Sequence, residues 1–226
     1  MAMTWEALLF AHWRVEADRL RRWLPRGLEL DLFEGAAWVG VVPFRMRSTR
    51  LRGLPPMPGS GTFPELNLRT YVTRGGRPGV WFFSLDAASW LAVRVARRVF
   101  HLPYFDARMS LEAEEGGWRY RSRRIHRGAA PARWEGWYRP LGEVQAARPG
   151  SLEHWLTERY CLYAADPRGG LWRGEIHHAP WPLQRAEARL ERNTLGEEWD
   201  LPLPGVPERA HFARRLEVVA WAPGRA

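Results

Sequence analysis

A chain of 226 residues that is 46% hydrophobic and carries 14 Trp can bury one substantial core, which excludes a disordered polypeptide. The formal net charge of +9 suggests an acidic partner, yet all 34 basic residues are Arg and there is no Lys. Exclusion of Lys reads as a coding bias of the whole chain and weakens the case that the charge was placed for a polyanion.

The single Cys161 cannot close an intramolecular disulfide, so nothing indicates an oxidising compartment. No apolar run reaches the roughly 18 residues of a membrane span, and the opening MAMTWEALLFAHWRVEADRL carries Glu6 rather than a basic leader. We expect a soluble cytoplasmic protein with a single domain over residues 1–226.

In chain order, VEADRLRRWLP after Arg14 reads as a short helix with Leu20, Trp23 and Leu24 on one side and Pro25 ending it. GLELDLF and AAWVGVVPFRM follow as strands around a Glu34-Gly35 turn, and RGLPPMPGSGT is too rich in Pro and Gly for regular structure. FPELNLRTYV alternates as a strand, and GVWFFSLDA is apolar on both faces, as in a covered strand. Asp86 is placed to cap a helix from about Ala87 to Phe100, with Leu91, Val95 and Val99 as its apolar stripe and HLPYF as its stop. RMSLEAEEGGWRYRSRRI predicts a hairpin turning at Gly116-Gly117, and Ser151 caps a helix through LEHWLTER. YCLYAADPRGGLWRGEIHHA predicts a second hairpin, around Asp166 to Gly170, and HFARRLEVVAW a last strand. The expected class is α+β with a mainly antiparallel, curved or closed sheet and two or three outer helices.

Phosphate loops, paired Cys, His-Glu-x-x-His helices and Gly-x-Ser-x-Gly elbows are absent from the sequence, and no cofactor is expected. His177 and His178 are neighbours on a strand and point to opposite sides, so only one can reach a given ion; Glu175 shares a face with His177, but no third ligand is evident and no metal is assigned. His177 reads better as a hydrogen-bonding or acid–base group in a pocket. The densest Arg runs are at 45–53 and 119–127, and Arg interleaved with Trp118 and Tyr120 fits single-stranded nucleic acid, but in a Lys-free chain Arg is simply how a soluble surface is made.

The face of FPELNLRTYV formed by Glu65, Asn67, Arg69 and Tyr71 is the most informative. As solvent-facing skin it would carry a weak Glu65–Arg69 ion pair. Against that, Asn is poor strand material unless its amide is used, and the following strand is apolar on both sides, so this part of the sheet is covered. A covered polar face must satisfy its groups internally or with a ligand.

FPELNLRTYV, GVWFFSLDA, FHLPYF, GSLEHWLTERYCLY and GEIHHAPWPLQ, in this order, resemble the YqjF-like family of bacterial proteins over nearly the whole chain. That family is in turn similar, more remotely, to acetoacetate decarboxylase, which implies a closed, cone-like β-barrel with outer helices and an internal pocket. The resemblance places Arg14 on the decarboxylase pocket Arg, Glu65 on an active-site Glu and Tyr104 on the catalytic Lys. A phenol cannot form the iminium electron sink, and with no Lys in the chain Schiff-base decarboxylation is not expected. What the resemblance leaves is a pocket for a small organic acid or carbonyl compound, with Arg14 and Arg69 supplying positive charge, Glu65 acting as acid or base, and Asn67, Tyr71, Tyr104 and His177 as orienting groups. Lyase, hydratase or isomerase chemistry, plain ligand binding and, with least support, nucleic-acid binding remain the alternatives. A homo-oligomer is left open, with the Arg-rich hairpins as a candidate subunit contact.

Overall fold

The computed structural model describes residues 1–50 and 61–226, so the Pro- and Gly-rich loop expected at 52–62 lies almost wholly outside the described residues. The chain begins with β1 (Ala2–Val15), α1 (Ala17–Arg21), β2 (Glu29–Leu30), β3 (Ala37–Arg50), β4 (Thr62–Arg74) and β5 (Arg77–Ala87). It continues through α2 (Trp90–Val99), β6 (Tyr104–Glu114), β7 (Gly117–Arg124), β8 (Arg133–Gln145) and α3 (Leu152–Thr157). β9 (Cys161–Ala165), β10 (Leu171–His177), β11 (Leu183–Asn193), β12 (Arg209–Ala220) and β13 (Gly224–Arg225) complete it.

All the strands belong to one sheet, antiparallel except where β5 pairs in parallel with β6 and with β9. The sheet is ring-like because two further pairings close it on itself. β5 pairs with β4, which completes a circuit through β6, β7, β8, β11, β12, β1 and β3. β10 pairs with β12, which completes a second circuit through β9, β5, β4, β3 and β1. The run β12-β1-β3-β4-β5 is common to both, so its two faces look into two different interiors.

The side chains sort accordingly. Leu9, Ala11 and Trp13 of β1 and Leu66 and Leu68 of β4 pack with Tyr120, Trp134 and Tyr138 in the first interior. Leu8 and Phe10, one residue out of phase, pack with Val42, Phe44, Leu85 and Trp181 in the second. A register shift between Glu6 and Ala11, with Ala7 at φ 48°, bends β1 so that it can serve both.

Several sequence expectations need correction in detail. Asp86 stays in β5 and does not cap α2; Ser89 is the cap, accepting from the Ala92 amide at 3.3 Å. The buried face of α2 is Val93, with Ala92, Ala96 and Phe100 beside it, whereas Val95 and Val99 are exposed, because a helix lying on a sheet needs only a narrow apolar contact. α1 stops at Arg21, before Pro25, and leaves Trp23 exposed with its indole donating to the Trp199 carbonyl at 2.9 Å. The β6–β7 turn uses Glu115 and Gly116, both at positive φ, one residue earlier than expected. The Glu34-Gly35 turn, the Ser151 cap and the hairpin around Asp166 to Gly170 form as the sequence suggests. Among the described residues no helix is long and apolar enough to cross a membrane.

Candidate functional site

β4 is a central strand, and its cross-strand neighbours fix where the polar face sits. Glu65 lies between Phe44 and Ala87, Asn67 between Val42 and Leu85, and Arg69 between Gly40 and Phe82. All belong to the second interior. Glu65 is 3% exposed and Asn67 5%, so the polar face is covered. Gly40 has a packing role: a Cβ there would come within 3.0 Å of the His12 ring and 3.5 Å of Arg69 Cγ. Its missing side chain lets His12 of β1 and Arg69 of β4 approach each other across β3.

At one end of the face the Tyr104 hydroxyl donates to Glu65 Oε2 at 2.9 Å. Tyr104 begins β6, and the HLPYF segment sets it there, with Pro103 accepting from the Leu85 amide at 3.0 Å before Tyr104 pairs beside Leu85. Glu65 makes no ion pair among the described residues. Burial raises its pKa from the ordinary carboxylate range to about 8, opposed by the Tyr104 hydrogen bond. Burial also pushes the Tyr104 phenol well above its usual value, and the neighbouring Glu65 adds to the shift. The pair is a protonatable carboxyl beside a neutral hydroxyl.

At the other end His12, Arg69 and Tyr71 meet α3. The Tyr71 hydroxyl donates to the Leu156 carbonyl at 2.8 Å, so the 2.7 Å contact with His12 Nε2 has the imidazole as donor. Arg69 Nη2 donates to the same carbonyl at 3.2 Å and to the Tyr71 hydroxyl at 3.4 Å. The guanidinium also lies 5.3 Å from the Phe10 ring and 5.7 Å from the Tyr71 ring, without a carboxylate among the described residues. Burial, then the charge of Arg69 and the presence of His211, hold the His12 pKa well below its usual value and keep it neutral. His12 Nδ1, Asn67 Oδ1 and Arg69 Nε are buried with no hydrogen-bond partner among the described residues. Such groups cost about 1–3 kcal/mol each unless water or a ligand meets them.

Of the sequence-predicted site residues, Glu65 and Tyr104 are brought together, Arg69 and Tyr71 form the second group, and Asn67 stands between them on β4. Two are placed elsewhere. Arg14 shares a face with His12 but lies at the rim, its side chain 59% exposed, over Trp38 and 3.4 Å from Glu208. His177 is exposed because β10 ends there and strand alternation stops; His178 is the buried one, stacked on Tyr160 and near Trp181. Glu175, the other half of the discounted metal pair, is held by Arg77 at 2.9 Å. Sequence reasoning passed over His12, whose only signal was a lone polar residue in the apolar run of β1.

The space beside the face is closely occupied by Phe10, Leu85 and Trp181, while Arg69, Phe82, Leu162 and Ile176 keep partial exposure. Two hollows of about 410 Å³ each lie outside it. One is lined by Asp31, Phe33, His154, Trp155 and Arg159 next to α3, and the other runs beside the start of α2. The second touches Ala87, the cross-strand neighbour of Glu65. Neither includes Glu65, Asn67, Arg69 or Tyr104, so the expected internal pocket is not the place where these hollows form.

A family model described as an uncharacterized conserved protein, DUF2071, matches residues 2–217. The chain belongs to the DUF2071 family. It is 45% identical over 221 residues to the uncharacterized protein YqjF of Bacillus subtilis (strain 168), covering 98% of this chain and 90% of that one. Among solved structures it is similar to the enduracididine biosynthesis enzyme MppR complexed with pyruvate, at TM-score 0.66 and 15% identity over 99% of this chain and 89% of that one. It is likewise similar to acetoacetate decarboxylase from Legionella pneumophila, at TM-score 0.62 and 16% identity over 99% and 87% of the two chains. This chain therefore has an acetoacetate decarboxylase-like fold, here with Tyr104 and Glu65 paired and no Lys in the sequence.

Proposed function

We propose that this protein takes a small organic acid or carbonyl compound onto the Glu65–Asn67–Arg69 face and moves a proton there, in lyase, hydratase or isomerase fashion. The observation that carries the reading is the buried Glu65 carboxyl, its pKa raised to about 8, with the Tyr104 hydroxyl as its one hydrogen-bond partner among the described residues. A carboxyl in that range has both protonation states within reach near neutral pH, the requirement for general acid–base work. Its conjugate base would remove a proton next to a carbonyl, and its acid form would return one. Tyr104 would donate to the developing enolate oxygen, and Arg69, lacking a carboxylate among the described residues, would hold an anionic end. Partial exposure of Arg69 and Phe82 gives the route by which a ligand would reach the face.

The fold neighbours, MppR complexed with pyruvate and an acetoacetate decarboxylase, agree with a carbonyl ligand class. The Schiff-base decarboxylation that the resemblance to acetoacetate decarboxylase implies does not transfer, since no Lys is present to form the imine. A plain binding protein would use the same groups for affinity alone. Incubation with a panel of keto, enol and lactone acids separates the two. Turnover that is lost in Glu65→Gln supports catalysis, a raised melting temperature without product supports binding, and neither response to any member of the panel refutes the assignment.

A further inference from the structure

We propose that the hollow beside the start of α2 is a second binding site, specific for a planar aromatic carboxylate and independent of the Glu65 face. Its volume of about 410 Å³ suits a ring system of one or two fused rings. Two of its walls are apolar side chains left in water: Trp90 is 69% exposed and Ile125 49%. Large apolar residues side by side on a surface concavity are the usual mark of a face that meets something.

The polar wall selects the charge. Asp106 would repel an anion, but both of its oxygens are engaged, by Arg94 at 3.1 and 2.9 Å and by His126 Nδ1 at 2.8 Å. These contacts keep the carboxylate ionised and neutralised in place. They also pin the His126 ring, which stands edge-on to Phe105 with centroids 5.5 Å apart. Arg127, the next residue, lines the hollow and makes no ion pair among the described residues. With Arg94 and Asp106 cancelling, the hollow retains one uncompensated guanidinium. A flat ring against the Trp90 indole and Ile125, with its carboxylate toward Arg127, satisfies the apolar and the polar wall at once.

The test is calorimetric titration of the full chain with 1-naphthoate, with 1-naphthamide as the neutral twin. Saturable binding of the acid is expected, with the amide about tenfold weaker or more. Arg127→Gln and Trp90→Ala, both at exposed positions, should each weaken the acid by a similar factor, and Glu65→Gln should leave it unchanged. Lack of saturable binding, equal binding of acid and amide, indifference to both hollow substitutions, or loss of binding in Glu65→Gln would each overturn the proposal. The last outcome would move the ligand to the Glu65 face and leave the proposed function standing.

Discussion

The Tyr104 hydroxyl and the Glu65 carboxyl share a 2.9 Å hydrogen bond inside a covered face, and nothing cationic among the described residues stabilises the ionised carboxyl. The folded-state pKa of about 8 stands above the ordinary value of 4.5, so the folded chain holds this proton over a range in which the unfolded chain has released it. The stability associated with the neutral acid is fully present below about pH 4.5 and is lost as pH rises through about 8. Glu65→Gln, permanently neutral and of the same shape, should therefore match the wild type near pH 4 and exceed it near pH 9 by a few kcal/mol, of the order a shift of several pKa units implies. Urea unfolding of both proteins at the two pH values checks this, and the buried histidines, which titrate in both, cancel in the difference. Equal stabilities at pH 9 would mean that Glu65 is not held neutral.

If Tyr104 occupies the position of a Schiff-base amine, Tyr104→Lys should restore that chemistry. The new amine would lie beside Glu65, attack the carbonyl carbon of pyruvate, expel water and form an imine that borohydride reduces to a stable secondary amine. Peptide mapping after reduction should find the added mass at position 104 in the variant and at no side chain in the wild type, which has no Lys to react. An unmodified position 104 in a folded variant would show that fold likeness does not extend to the placement of this residue.

How much was legible in the sequence depended on how local each signal was. The polar face of β4 could be read because strand alternation and the doubly apolar β5 are both local patterns, and the structure buries Glu65 and Asn67 as they imply. β11, LQRAEARLERN, is made of good helix formers, and only its pairing with β8 and β12 makes it a strand, which no local window contains. The exposure of His177 follows from where β10 ends, and the distance of Arg14 from Glu65 follows from how β1 leaves the ring at its rim. His12 was missed because its importance comes from Gly40, two strands of sequence away, which opens the gap to Arg69.

That gap gives a prediction of its own. Gly40→Ala adds a methyl group 3.0 Å from the His12 ring, tighter than packed atoms tolerate, with Arg69 behind it. The ring must shift, which strains or breaks its 2.7 Å contact with Tyr71. Overpacking of this kind costs about 1–3 kcal/mol. Urea unfolding should show that loss for Gly40→Ala and almost none for Gly224→Ala, where a Cβ would meet nothing within 4 Å and φ is not positive. A neutral Gly40→Ala would show that β3 can yield and that the His12–Arg69 spacing is not fixed by the glycine.

On the opposite face of β5, Asp86 and Arg124 form an ion pair at 2.8 Å with both side chains 1% exposed. Burial raises the Asp86 pKa even though Arg124 and His126 lower it, so the neighbouring charges do not fully offset the cost of desolvation. Asp86 Oδ2 and Arg124 Nη2 have no partners among the described residues, and the guanidinium is covered by the Phe105 ring 4.2 Å away. Asp86→Asn leaves the buried guanidinium, among the described residues, only its long 3.5 Å ion pair with the half-exposed Glu198, and should cost about 3–5 kcal/mol. Asp86→Leu combined with Arg124→Met removes both charges and should cost less than the two single changes Asp86→Leu and Arg124→Met added together, a coupling that their double-mutant cycle in urea measures directly. If the double variant lost as much as the two single changes added together, the pair would be acting as two independent contacts.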